Sequence, residues 1–332
     1  RVICDAPVKP EDFTAVVLSS DNEDLGTFET SHADINRLYE NTRWSQRSNM
    51  ISIPTDCPQR EKGGWTGDIQ IYARTAMLNE NTTPFLTRWL RNMTCNQQKN
   101  GAIPNVIPLT GIYDFFEKLN RLVYHNHGPV GEAGWGDAAC IIPWNVYLFS
   151  GDKTILEQQI DSMKAWVDYI RKVDGEHHGL RNSFHYGDWL ALDRPGAKEG
   201  NVYGATDEAY IADVYYAASA QIVAKAAEVL GRSELQKEYQ EIADQQWKVV
   251  KDEYFTATGR CAIKTQTGLT LALKYHLSEN ETMTAKMLKT LFRQNRYKLN
   301  TGFVGTPLLC NVLTDNGMSD LAYQLLLNEE FP

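Results

Sequence analysis

Asp56-Cys57-Pro58-Gln59-Arg60-Glu61-Lys62-Gly63-Gly64-Trp65-Thr66-Gly67-Asp68 is the stretch around which the chain organises itself. Three carboxylates, an arginine, a tryptophan, three glycines and a proline stand here between two runs of helical periodicity. A plain connection needs turn residues but not this density of charge, so the segment reads as a site.

Helical patterns flank it. Upstream, Ser31-x-x-Asp34 has the form of a capping box, and Ile35, Leu38, Tyr39, Thr42 and Gln46 then recur at helical spacing toward Met50. Downstream, a second helix is expected from Asp68, whose charge suits a helix N-terminus, and a third over about 82–98. Residues 99–133 carry Gly101, Pro104, Pro108, Gly111, Gly128, Pro129 and Gly131 without a helical period and read as a long irregular connection. A fourth helix follows Gly134-Trp135-Gly136-Asp137. A fifth starts after the Gly151-Asp152 stop, close enough to lie antiparallel to the fourth. The pattern breaks again over 174–204, around Tyr186-Gly187-Asp188-Trp189. Six more helices are expected: from a Thr206 cap, from Ser233, from Gln266, after a Ser278-x-x-Glu281 box, over 307–313 and over 319–328. Eleven helices joined alternately by tight turns and by long loops imply helical hairpins standing side by side with the long loops on one face. Residues 1–30 instead hold short β-prone runs at 13–18 and 27–28.

Composition narrows the function. With 42% hydrophobic and 23% charged residues and no apolar run of roughly 18, the chain reads as globular, with no membrane partner. A net charge of −9 without a basic stripe argues against a nucleic-acid partner. Eight Trp and sixteen Tyr offer flat apolar faces with polar edges, suited to stacking on sugar rings or to filling a large core. Cys4, Cys57, Cys95, Cys140, Cys261 and Cys310 are irregularly spaced and read as mostly reduced. The chain opens at Arg1 with neither a methionine nor a leader pattern, and so reads as a piece of a longer protein.

Asp56, Glu61 and Asp68 could divide the work of glycosidic hydrolysis, where one carboxylic acid protonates the leaving oxygen and a second carboxylate activates water or attacks carbon. Crowded like charges raise a carboxyl's pKa, and Arg60 could hold a neighbour ionised or grip a hydroxyl. The same residues also read as a helix cap and surface ion pairs. Trp135 with Asp137, and Asp188 with Trp189, repeat the vocabulary of the first loop, as a shared cleft would; core packing and capping explain them too. Glu176-His177-His178 lacks metal-ligand spacing, no phosphate cradle or GxSxG is present, and Cys57 reads as structural. No cofactor or metal is expected.

On these residues the chain resembles the bacterial α-L-rhamnosidases of glycoside hydrolase family 78. The likeness runs from about Gly26 to the end. It passes through Asn49 to Pro54, the 56–68 segment, Gly134-Trp-Gly-Asp-Ala-Ala139, Gly187-Asp-Trp-Leu190 and Thr301-Gly-Phe-Val-Gly-Thr306. The first long motif is specific, and the others are individually weak but fall in the family's order. The resemblance implies an all-α (α/α)6 barrel over 31–332, incomplete at its C-terminal helix, with residues 1–30 as the lead-in from a preceding β-sandwich domain. It implies an inverting enzyme acting on a rhamnose-containing glycoside, with Glu61 as general acid and Asp56, Arg60 and Asp68 binding hydroxyls. Trp65, Trp135 and Trp189 become pocket walls, and Asp137 and Asp188 further polar contacts. The family's general base is a glutamate in a motif beyond the segment matching Phe331-Pro332, so hydrolysis by these 332 residues alone is not expected. Another inverting glycosidase on the same barrel, or a carbohydrate-binding module without catalysis, are the alternatives, and a homodimer stays open.

Overall fold

The computed structural model describes residues 3–109, 111, 131–175, 185–194 and 200–330. Most of the expected connection over 99–133, the Glu176-His177-His178 turn and part of the 174–204 break lie outside them. Eleven α-helices stand among the described residues: α1 (Ala33–Asn49), α2 (Thr66–Asn79), α3 (Thr83–Asn96), α4 (Ala138–Ser150), α5 (Thr154–Asp174), α6 (Glu208–Val229), α7 (Ser233–Tyr254), α8 (Gln266–Lys274), α9 (Glu281–Gln294), α10 (Thr306–Asp315) and α11 (Ser319–Leu326). Each falls where the periodicity places one.

The helices form two layers, and the burial of α6, α8 and α9 shows how the layers differ. In α6, Ile211, Val214, Val223 and a succession of alanines are buried around most of the circumference, and in α8 every residue except Lys274 is buried. Helices apolar on all sides belong inside, and small residues let neighbours approach closely. By contrast α9 buries only Thr284, Leu288 and Phe292, one stripe of an amphipathic helix on an outer surface. Packing gives the order: α2 lies on α4, α4 on α6, α6 on α8 and α8 on α10, which itself buries only Leu309, Val312 and Leu313, while α3, α5, α7, α9 and α11 cover them from outside. Pro307 at the start of α10 lines a cavity with residues of α1 and α2, which brings the helix order back round toward its beginning.

Several caps differ from expectation. His32, not Ser31, precedes α1, with no side-chain cap; Thr30 and Asn36 bond each other there instead. Asp207 caps α6 through the Tyr210 N–H, and Asn280 caps α9 through the Met283 N–H. Ser278 is turned away, its hydroxyl donating to the Gly259 carbonyl. Short polar side chains next to one another compete for the same orphan amides, and sequence does not say which wins. α2 also starts two residues early, leaving Asp68 inside its first turn.

The β-prone runs at 13–18 and 27–28 form no strand among the described residues. Val16 and Val17 are 75% and 87% exposed. The lead-in is held at Asp24, which bridges to Glu80 and pairs with Arg43 and Arg47. The Arg43 guanidinium, with Arg47, holds the Asp24 carboxyl below its ordinary pKa. Arg47 also bonds Glu80 at 3.0 Å, and Glu80 is otherwise buried.

Candidate functional site

The 56–68 segment is a closed loop running into α2. The Asp56 N–H donates to the Gly63 carbonyl at 3.0 Å, and the Gly63 N–H donates back to Asp56 Oδ1 at 3.0 Å. Cys57 Sγ accepts the Glu61 N–H at 3.3 Å, a structural role for this thiol. The loop is tied outward as well: the Ile107 N–H donates to the Gly64 carbonyl, and the Thr66 N–H to the Asn105 carbonyl, both at 2.8 Å. All six cysteines are free.

Glu61 is exposed, and its Oε2 accepts the Trp65 indole N–H at 3.0 Å. Arg60 is exposed beside it. Asp56 and Asp68 face a cavity of about 340 Å³ whose walls include Gln46, Asn49, Tyr72 and Pro307. Burial, reinforced by the charge of Asp56 and then of Glu61, pushes the Asp68 carboxyl up to about 7. This residue does not cap α2, which has no side-chain cap; its charge is instead set against two neighbouring carboxylates on the same segment.

Aromatic rings extend the site. The Trp135 ring stacks on Phe303 at 5.8 Å with 7° between planes, and sits 4.6 Å from Tyr186. Tyr186 meets Trp65 edge-on at 6.3 Å and Trp189 at 5.5 Å, and Trp189 meets Tyr203 at 5.4 Å. Three loops distant in sequence therefore share one aromatic cluster. Gly67 makes the approach possible: a Cβ there would stand 2.4 Å from the Trp135 indole. Tyr186 and Phe303 were not singled out from sequence. Both stand inside motifs already quoted, Tyr186-Gly187-Asp188-Trp189 and Thr301-Gly-Phe-Val-Gly-Thr306, which give an aromatic ring there no role of its own.

Asp137 and Asp188 differ from the polar contacts that the resemblance implies. Asp137 is 1% exposed and accepts from the Gly134 N–H at 2.8 Å, the Trp166 indole at 3.0 Å and the Ser219 hydroxyl at 2.6 Å. Asp188 is 0% exposed and accepts from the Gly302 N–H at 2.9 Å, the Val304 N–H at 2.8 Å, the Gly305 N–H at 3.2 Å and the Thr267 hydroxyl. Burial raises both carboxyls, and these donors oppose it. Both side chains are turned inward, holding loops together. Trp135 is 4% exposed, whereas Trp65 and Trp189 are half-buried. Among the described residues no group of His, Cys, Asp and Glu has a metal-binding arrangement, and no helix is long and apolar enough to cross a membrane.

Residues 23–332 match the family described as the bacterial alpha-L-rhamnosidase 6 hairpin glycosidase domain. The chain belongs to this family. Rhamnosidase-domain relatives include an alpha-L-rhamnosidase of Formosa agariphila, 38% identical over 96% of the chain and 32% of that protein. Another, from Streptomyces avermitilis, is 36% identical over 92% of the chain and 27% of its own length. The chain thus spans about a third of the length of the curated relatives it matches. Among solved structures, the Streptomyces avermitilis alpha-L-rhamnosidase complexed with L-rhamnose superposes with a TM-score of 0.81 at 33% identity, over 95% of this chain and 28% of that one. The native alpha-L-rhamnosidase from Aspergillus terreus gives 0.85 at 36% identity, over 99% and 37%. The two helical layers are accordingly those of the six-hairpin rhamnosidase domain, the (α/α)6 toroid.

Proposed function

We propose that this domain handles the sugar in a glycoside hydrolase that removes terminal α-L-rhamnose from rhamnosides by an inverting single displacement, with Glu61 as general acid. The observation that carries the reading is the exposed Glu61 carboxyl, oriented by the Trp65 indole N–H at 3.0 Å beside the Asp56 and Asp68 cavity. A leaving-group oxygen at the loop's open side would take its proton from Glu61. Asp56, Arg60 and Asp68 offer acceptors and a donor for ring hydroxyls. Trp65 and Trp189, with Tyr186, present apolar faces to the ring, and Trp135 backs them. Asp137 and Asp188 enter as supports.

In an inverting site the base stands about 6.5–9.5 Å from the acid, on the far face of the sugar. By the family resemblance the base is a glutamate in chain outside these 332 residues, and this reading assigns it to neither Asp56 nor Asp68, which it keeps for the sugar's hydroxyls. Residues 1–30 act in it as the lead-in from a β-sandwich domain.

The test is turnover of p-nitrophenyl α-L-rhamnoside by the 332-residue chain and by a form extended at its C-terminus. Only the extended form is expected to hydrolyse it; equal turnover by both would sink the external base. In the extended form Glu61→Gln is expected to lower kcat by about 10³-fold, within the usual span for a general acid, while L-rhamnose still binds. Undiminished turnover would remove Glu61 from its role. An extended wild type that binds rhamnose yet hydrolyses no rhamnoside would favour a binding module instead.

A further inference from the structure

Three chain segments meet at one buried carboxylate. Asp188 lies in the 185–194 segment, directly between Gly187 and Trp189. Its Oδ2 accepts the Gly302 N–H and the Thr267 hydroxyl, and its Oδ1 accepts the Val304 and Gly305 N–H groups. Thr267 is in the first turn of α8; Gly302, Val304 and Gly305 form the turn entering α10. The same two segments are joined a second time where the Phe303 N–H donates to the Trp189 carbonyl at 2.9 Å. The contact is close enough to require glycine: a Cβ at Gly302 would stand 2.2 Å from the Trp189 carbonyl oxygen and 2.7 Å from that of Asp188.

The side chains carried by this junction are those of the aromatic cluster. Trp189 is the next residue along the chain from Asp188, and Phe303, stacked on Trp135, lies between the amides that Asp188 holds. Asp188 has no exposed surface with which to meet a ligand. We propose that Asp188 is a positioning residue: it fixes Trp189 and Phe303 relative to each other, and through Thr267 to α8, so that the aromatic wall is set before sugar arrives. This rests on the rhamnoside reading above for the identity of the sugar and for the aromatic cluster as the wall that meets it.

The two oxygens make the role testable. A carboxylate accepts on both; an asparagine of equal size accepts on one and presents N–H groups on the other. In Asp188→Asn the amide can face the Thr267 hydroxyl, which is able to turn and accept, but the Gly302 N–H on that side is then left without an acceptor. An unmade bond of this kind shifts an opening equilibrium by about tenfold or more.

The experiment measures native-state amide exchange over 300–306 without sugar and, separately, L-rhamnose binding by titration, in wild type, Asp188→Asn, Thr267→Val and Thr267→Ser, all on the full natural protein. Expected is a loss of protection over 302–305 of about tenfold in Asp188→Asn and less in Thr267→Val, with wild-type protection in Thr267→Ser. Rhamnose affinity should fall in the same order. If affinity falls while those amides stay protected, Asp188 meets the sugar directly and the proposal is overturned. It is equally overturned if protection is lost and affinity does not change. Should Asp188→Asn fail to fold, the Thr267 pair decides alone by the same two readouts. Because exchange is read without sugar, a failed rhamnoside reading would show as no rhamnose binding by wild type with the exchange pattern intact.

Discussion

At the residue scale the most informative carboxyl is Asp68, raised to about 7 by burial and by Asp56. An unfolded aspartate titrates near 3.9, so between about pH 4 and 7 the native state holds a proton that the unfolded chain has released. Stability from this group is therefore present at low pH and is lost as pH rises through about 7. Asp68→Asn keeps a neutral group throughout. The difference in stability between wild type and this variant, followed by denaturant midpoint from pH 4.5 to 7.5, should shift by on the order of 2 kcal/mol in favour of the variant at the upper end. A difference that does not vary with pH would show that Asp68 is not titrating there.

At the scale of elements, α2 meets the loop before α4 at Gly67. Alanine is the better helix former by up to about 1 kcal/mol, but its Cβ would enter the Trp135 indole at 2.4 Å, and both residues are buried. The clash decides the sign: Gly67→Ala should lose about 1–3 kcal/mol by denaturant unfolding, with a changed near-ultraviolet tryptophan signal. How much of this was legible varies by element. Helix positions were, because apolar residues recur at helical spacing between polar caps and glycine stops, as before Met50 and on either side of Gly151-Asp152. The 56–68 loop, Trp65 and Trp189 were also legible as a gathering of unusual residues. The direction in which Asp137 and Asp188 point was not. An aspartate beside tryptophan and glycine reads alike whether it faces a ligand or receives amides from a turn more than a hundred residues away, as Asp188 does. Asp68 as a buried, raised carboxyl was hidden because sequence shows its place on a helix but not the cavity beneath it.

Across the whole molecule, the lead-in segment is secured to the barrel through Asp24, Arg43, Arg47 and Glu80. Glu80 is 2% exposed, and besides Arg47 its carboxylate is met by Gln46 at 3.1 Å. Removing Arg47 leaves a buried charge with the Gln46 amide and only the more distant attraction of Arg43, so Arg47→Ala should cost about 2 kcal/mol, somewhat less than a fully buried pair because the arginine is half-exposed. It should also free residues 3–24 for cleavage by a nonspecific protease while the helices stay intact. Equal cleavage of wild type and variant would mean that other contacts hold the lead-in.

The link between the 56–68 loop and 105–107 reaches further than the cleft. Ile107 not only donates its N–H to Gly64; its carbonyl also accepts the indole N–H of Trp89, a fully buried residue of α3, at 3.2 Å. The loop is thereby bolted to the outer layer. An engineer transplanting 56–68 into another barrel would carry over its side chains and lose its anchorage, unless 105–107 and the tryptophan behind it travelled as one cassette. For the same reason, replacements in α3 that never approach a sugar are where altered activity should be sought in a directed-evolution campaign.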